Sequence, residues 1–83
     1  MDSKVNNKLR LLRRTRDLTQ EELGVALGVT RHTILALESR KYEPSIALAL
    51  KIAKFFGMPV EDIFWLEEEI TAGLSYVPRK STF

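Results

Sequence analysis

Five side chains near the middle of the chain could do chemistry together. Arg31, His32, Thr33, Leu35 and Ala36 place a guanidinium, an imidazole, a hydroxyl, an isobutyl and a methyl group within two helical turns. Thr30 before them is a capping type, and Ile34 and Leu37 supply an apolar side at helical spacing. The other side presents cation and polar donors with no acid before Glu38. Arg31 can donate two hydrogen bonds to guanine O6 and N7, which discriminates bases by about 1–3 kcal/mol. Leu35, one turn on, can touch a thymine methyl, and a neutral His32 can donate or accept. The plainer readings are a solvated charge for Arg31 and a core position for Leu35.

Catalysis has little to stand on. Glu21–Glu22 and Glu67–Glu69 are carboxylate runs that capping and solvation explain, and no nucleophile or phosphate-binding glycine loop accompanies them. With no cysteine and one histidine, neither a metal site nor a cofactor is expected. No apolar run approaches membrane-spanning length, and MDSKVNNKLR lacks the apolar segment of a signal peptide, so a cytoplasmic protein without membrane contact is expected. The 83 residues suit one compact domain. Their net charge of +2 hides an asymmetry. Residues 1–56 hold 11 Lys/Arg against 6 Asp/Glu, and residues 57–83 hold 2 against 5. The basic part points to an anionic partner; solvating surface charge is the alternative.

The elements that must position Arg31 and its neighbours are short helices. Val5, Leu9, Leu12 and Arg16 predict a first helix over about 6–16. Thr19 and Glu22 form a capping box for a second, which Gly28 ends. Thr30 caps a third to about Ser39, and Ser45 caps a fourth, IALALKIAKFF, ended by Gly57. Pro59 at a first helical position, with Glu61 and Asp62, predicts a fifth over VEDIFWL. No convincing alternation appears in the first 66 residues, so the class is all-α, a compact five-helix bundle. Residues 1–69 form the domain. Residues 70–83 form an irregular or strand-like extension, a dimerisation element or mobile tail.

Gly28, Val29 and Thr30 leave a three-residue turn between the second and third helices, the mark of a helix-turn-helix. Here LRRTRDLTQEELGVALGVTRHTILALE, followed by KYEPSIALALKIAKFFGMPVEDIF, resembles the Cro/C1-type (XRE) repressor family over residues 7–66. The resemblance implies a lambda-repressor-like DNA-binding fold. It matches Arg31 and His32 to base-reading positions, with Thr33 and Ala36 farther along that face. It matches Gln20 to a phosphate contact, and Arg40 and Lys41 to the loop that grips the backbone; Thr30 joins this phosphate set. Arg13 and Glu38 match a buried structural ion pair. Two departures stand out: Gly24 replaces the family's alanine, and Arg40 replaces a frequent glycine, where a left-handed backbone would carry a steric penalty.

One such helix reads too few base pairs for genomic specificity, so a homodimer on a near-palindromic double-stranded operator is expected. Phe55, Phe64, Trp65, Leu66 and Ile70 are the apolar groups left for its interface, although Phe64 and Trp65 could simply plug the domain's base. The expected function is a sequence-specific DNA-binding transcriptional regulator, a repressor, reading the major groove with the helix Thr30–Ser39. The alternative is an antitoxin or adaptor acting mainly through protein contacts, which the acidic, aromatic DIFWLEEEI keeps open.

Overall fold

The computed structural model describes residues 4–67. In chain order these form strand β1 (Val5–Asn7), helices α1 (Leu9–Thr15), α2 (Gln20–Leu27), α3 (Arg31–Glu38) and α4 (Ile46–Phe56), one 3-10 turn (Val60–Asp62) and strand β2 (Phe64–Leu66).

Three helices start as their sequences dictate. The Thr19 hydroxyl accepts from the Glu22 amide at 3.0 Å while the Glu22 carboxylate accepts from the Thr19 amide at 2.8 Å. Thr30 and Ser45 each accept from the amide three residues on, at 3.1 Å. α1 begins differently, with Asn7 Oδ1 accepting from the Leu9 amide at 2.9 Å.

All four helices leave through one backbone shape. A residue at positive φ follows each helix: Asp17 (60°), Gly28 (75°), Arg40 (63°) and Gly57 (68°). The amide of the next residue then reaches back five positions. Leu18 donates to the Arg13 carbonyl, Val29 to Gly24, Lys41 to Ala36 and Met58 to Ala53, all at 2.9–3.1 Å. Leu18, Val29 and Met58 fold onto the core from these turns, whereas Lys41 is exposed.

The core is built from every helix. Leu9, Leu23, Ile34, Leu37, Ile52 and Ile63 are fully buried, and each contributes about 1.5–3 kcal/mol of hydrophobic stabilisation. Basic side chains close two helix ends. Lys51 Nζ donates to the Leu27 carbonyl, and Arg16 donates to the carbonyls of Phe55 and Phe56 at 3.2 and 3.3 Å while lying over both rings.

The five-helix, all-α expectation is corrected: the described chain has four α-helices and a two-stranded antiparallel sheet. Residues 6 and 7, assigned to the first helix, lie in β1, because Asn7 caps the helix from outside. The VEDIFWL helix stops after a single 3-10 turn. Ile63 enters the core and its carbonyl accepts from the Lys8 amide at 3.1 Å, which starts a ladder with Val5 opposite Leu66, Asn6 opposite Trp65 and Asn7 opposite Phe64. Strands of three residues carry no readable alternation. The expected extension from residue 70 lies outside the described residues, and Ile70 with it.

Candidate nucleic-acid interface

α3 is held at both ends, by different means. At its start, Gly24 of α2 lies against the turn so closely that a Cβ would stand 2.8 Å from the Val29 carbonyl oxygen and 3.3 Å from the Arg31 nitrogen. The absent side chain therefore fixes how near α3 approaches α2. Gly24, a departure from the family pattern, is thus a packing requirement in this chain.

At its end, α3 is held by polar side chains. The Glu38 carboxylate is wholly buried and accepts from Arg13 Nε at 2.6 Å, Arg13 Nη2 at 3.2 Å and Gln20 Nε2 at 3.1 Å, with Arg10 Nε at a longer 3.4 Å. Arg13 also donates to the Leu18 carbonyl at 2.8 Å. One cluster thus joins α1, the start of α2 and the end of α3. Burial pushes the Glu38 carboxyl up, but the hydrogen bonds from Arg13 and Gln20 and the Arg13 charge outweigh it and hold it below the ordinary carboxylate value. The hydrogen bond with Glu38 raises Arg13 above its usual value against the opposing effect of burial. Asn7 completes the hold, donating from Nδ2 to the Leu37 carbonyl at 3.0 Å.

Between these supports the free side of α3 faces outward. Arg31 and His32 are exposed, Leu35 is 41% exposed, and Thr33 and Ala36 are half-buried. The Thr30 hydroxyl is occupied in capping and lies 3.1 Å from the Thr33 hydroxyl, so these two act partly on each other. Beside Arg31 opens a groove of about 640 Å³ whose lining includes Arg10, Arg13, Arg14 and Gln20. Among the described residues Glu21 is the single acid on its wall. With Arg13 committed to Glu38, the guanidiniums of Arg10, Arg14 and Arg31 around one groove suit a chain of phosphates. Gln20 stands on that wall with its amide nitrogen turned to Glu38, so it steadies the carboxylate from the groove's edge.

Past α3, Arg40 is left-handed, so the penalty foreseen for arginine there is present. Its guanidinium pairs with Glu67, tying the loop to the end of β2, while Lys41 is exposed. The expected interface residues separate. Phe64 is a core residue at 7% exposure and is unavailable to a partner; Phe55 is half-buried under Arg16; Trp65 and Leu66 are exposed. Sequence reasoning missed Asn7 and Arg16. The asparagine two positions before Leu9 was a readable capping signal, whereas nothing local marks Arg16 as the cap of a helix 40 residues on.

The sequence pattern of the helix-turn-helix family matches residues 9–63 of this chain. The chain belongs to the Cro/C1-type helix-turn-helix family. An uncharacterized HTH-type transcriptional regulator of Methanocaldococcus jannaschii, MJ0272, is 54% identical over 65 residues, 78% of this chain and 98% of that protein. More distant are the phage CTXphi transcriptional repressor RstR of Vibrio cholerae and the HTH-type transcriptional activator BcrR of Enterococcus faecalis. RstR is 40% identical over 70% of this chain and 52% of its own length; BcrR is 39% identical over 80% and 32%. A Bacteroides fragilis protein of solved structure shares the fold, with a TM-score of 0.64 at 20% identity over 72% of this chain and 97% of that one. In helix-turn-helix terms α2 and α3 are the two motif helices, and the sequence relatives named are transcriptional regulators. Among the described residues no helix is long and apolar enough to cross a membrane, and no cluster of histidines and carboxylates could hold a metal ion.

Proposed function

We propose that this protein is a sequence-specific, double-stranded-DNA-binding transcriptional regulator that acts as a homodimer, through a domain of residues 1–69 with 70–83 as its extension. α3 lies in the major groove, where Arg31 and His32 reach base edges and Leu35 and Ala36 meet methyl groups. Thr33 contributes at the margin of that face. Gln20, Thr30, Arg40 and Lys41 contact phosphates on either side, and Arg10 and Arg14 join them along the groove beside Arg31. Repression follows from occupancy of an operator that polymerase needs.

The observation that carries this reading is the exposed, acid-free face of α3 flanked by a groove lined by Arg10, Arg14 and Arg31, on a helix fixed at both ends. Such rigidity limits the entropy lost when Arg31 meets a base. Selection from fragmented genomic DNA at two salt concentrations tests it. A short enriched site is expected at physiological salt, with log affinity falling about 0.9 per log salt for each neutralised phosphate. Arg31→Ala is expected to relax preference at one position per half-site, and Lys41→Ala to lower the salt slope by about one for all sequences. Salt-sensitive binding without an enriched site would instead favour a protein-contact module, the reading that exposed Trp65 and Leu66 support.

A further inference from the structure

A second groove, of about 440 Å³, shares no lining residue with the one beside Arg31. Across it the end of α2, with Val25, Ala26 and Gly28, faces Lys51, Lys54 and Phe55 of α4. Val25 is 76% exposed, and the apolar surface continues along α4, where Ile46 and Leu50 are 79% and 57% exposed. Ile46, Leu50 and Lys54 recur every four residues, so they form one stripe about 12 Å long. A continuous apolar surface with a polar margin marks a place of binding. Its margin here is cationic. Among the described residues no acid lines the groove, and neither lysine pairs with a carboxylate. Lys51 spends one of its three donors on the Leu27 carbonyl at 3.4 Å. Arg16, 5.3 Å from the centre of the Phe55 ring, adds a third cation at that end. The acids one turn earlier on α2 are engaged elsewhere: Glu22 accepts from the Thr19 amide, and Glu21 lines the arginine groove.

We propose that this groove and the stripe beside it dock an acidic amphipathic helix of a protein partner. A surface about 12 Å long is covered by roughly two turns of helix. Apolar side chains four positions apart on that helix meet Leu50 and enter between Val25 and Phe55. Lys51 and Lys54, three positions apart and so neighbours on α4, match carboxylates three or four positions apart on the partner. Other occupants fit less well. Phosphates gain nothing from Val25, Ile46 and Leu50, so nucleic acid leaves the apolar surface wet. A second copy presenting the same face sets its own lysines against these. Separate grooves let a DNA-bound chain hold this partner at the same time. The docking itself needs no DNA, so it stands or falls apart from the reading of α3.

NMR titration of the full chain with two synthetic helical peptides tests the proposal. Both carry leucines four positions apart; one flanks them with glutamates, the other with lysines. The glutamate peptide is expected to shift the amides of Ala26, Gly28, Lys51 and Phe55, and to bind about tenfold tighter than the lysine peptide. Lys54→Glu, at an exposed position, should shrink that preference about threefold or more. Val25→Gln should weaken the glutamate peptide about tenfold. Equal binding of the two peptides, or shifts that gather elsewhere, would overturn the docking site. So would groove shifts that grow with protein concentration alone, which mark a second copy, or contacts from Val25 to residues 68–83, which mark the chain's own tail. A random duplex that displaces the glutamate peptide at physiological salt would assign the groove to nucleic acid instead. If either variant fails to fold, the two peptides on the unaltered chain still decide. Failure to select any DNA site, with the peptide preference intact, sinks the DNA reading alone.

Discussion

At the end of α2 the chain turns through Gly28 and returns Val29 to the core; at the end of α3 the same turn runs through Arg40 and sends Lys41 into solvent. The two turns match in hydrogen bonding and in the sign of φ. Their attachments differ. The first is fixed by apolar packing and by the missing side chain of Gly24, with a single polar bond from Lys51 to the Leu27 carbonyl. The second is fixed by polar bonds, from Arg13 and Gln20 to Glu38, from Asn7 to Leu37, and between Arg40 and Glu67. The first turn takes glycine at its left-handed position, whereas the second holds a strained arginine whose guanidinium pairs with Glu67.

That contrast can be broken at either side. Glu38→Ala should have the largest effect, about 3–5 kcal/mol lost in urea denaturation, because Arg13 is left buried and unpaired. The same carboxylate makes the α3 side sensitive to acid. Its folded pKa lies below the ordinary value, so its contribution is complete above that value and disappears as pH falls through the folded one. Denaturation between neutral and strongly acidic pH should show this slope, and Glu38→Gln should flatten it. On the α2 side, Gly24→Val should cost about 1–3 kcal/mol through overpacking against the Val29 carbonyl, with no change in pH dependence.

The turn residues themselves give the smallest effects and opposite signs. Gly28→Ala forces a Cβ into a left-handed position and should cost about 1 kcal/mol. Arg40→Gly relieves the same strain but loses an exposed ion pair worth about 0–1 kcal/mol, so thermal stability should change by less than about 1 kcal/mol. Its effect should appear instead as a shallower salt dependence of DNA binding. An equal loss of stability in both variants would mean that the two turns are energetically alike.

Much of this was legible in the sequence because it is local. Thr19 with Glu22, Thr30, Ser45, Gly28 and Gly57 each announce a helix end within four residues. The strands were not legible: Val5 and Leu9 share helical spacing, and Pro59 with two acids is a sound helix start, so only the distant partner distinguishes strand from helix. The Arg13–Glu38 contact, 25 residues apart, came through family resemblance rather than spacing. The outward side of α3 was readable from Ile34 and Leu37, which fix the buried side. Phe64 was misplaced because aromatic content alone cannot say which strand face meets the core.

The clasp between β1 and β2 has a consequence for how the chain acquires its shape. Val5 and Leu66 are 61 positions apart, and closing a flexible loop of that length costs roughly 3–4 kcal/mol of chain entropy. Contacts between residues closer in the chain cost less entropy to form, so the two strands are expected to pair after the helices. Tension applied between the strands is then expected to open the clasp before the helices, as a first small rupture in a force-extension trace.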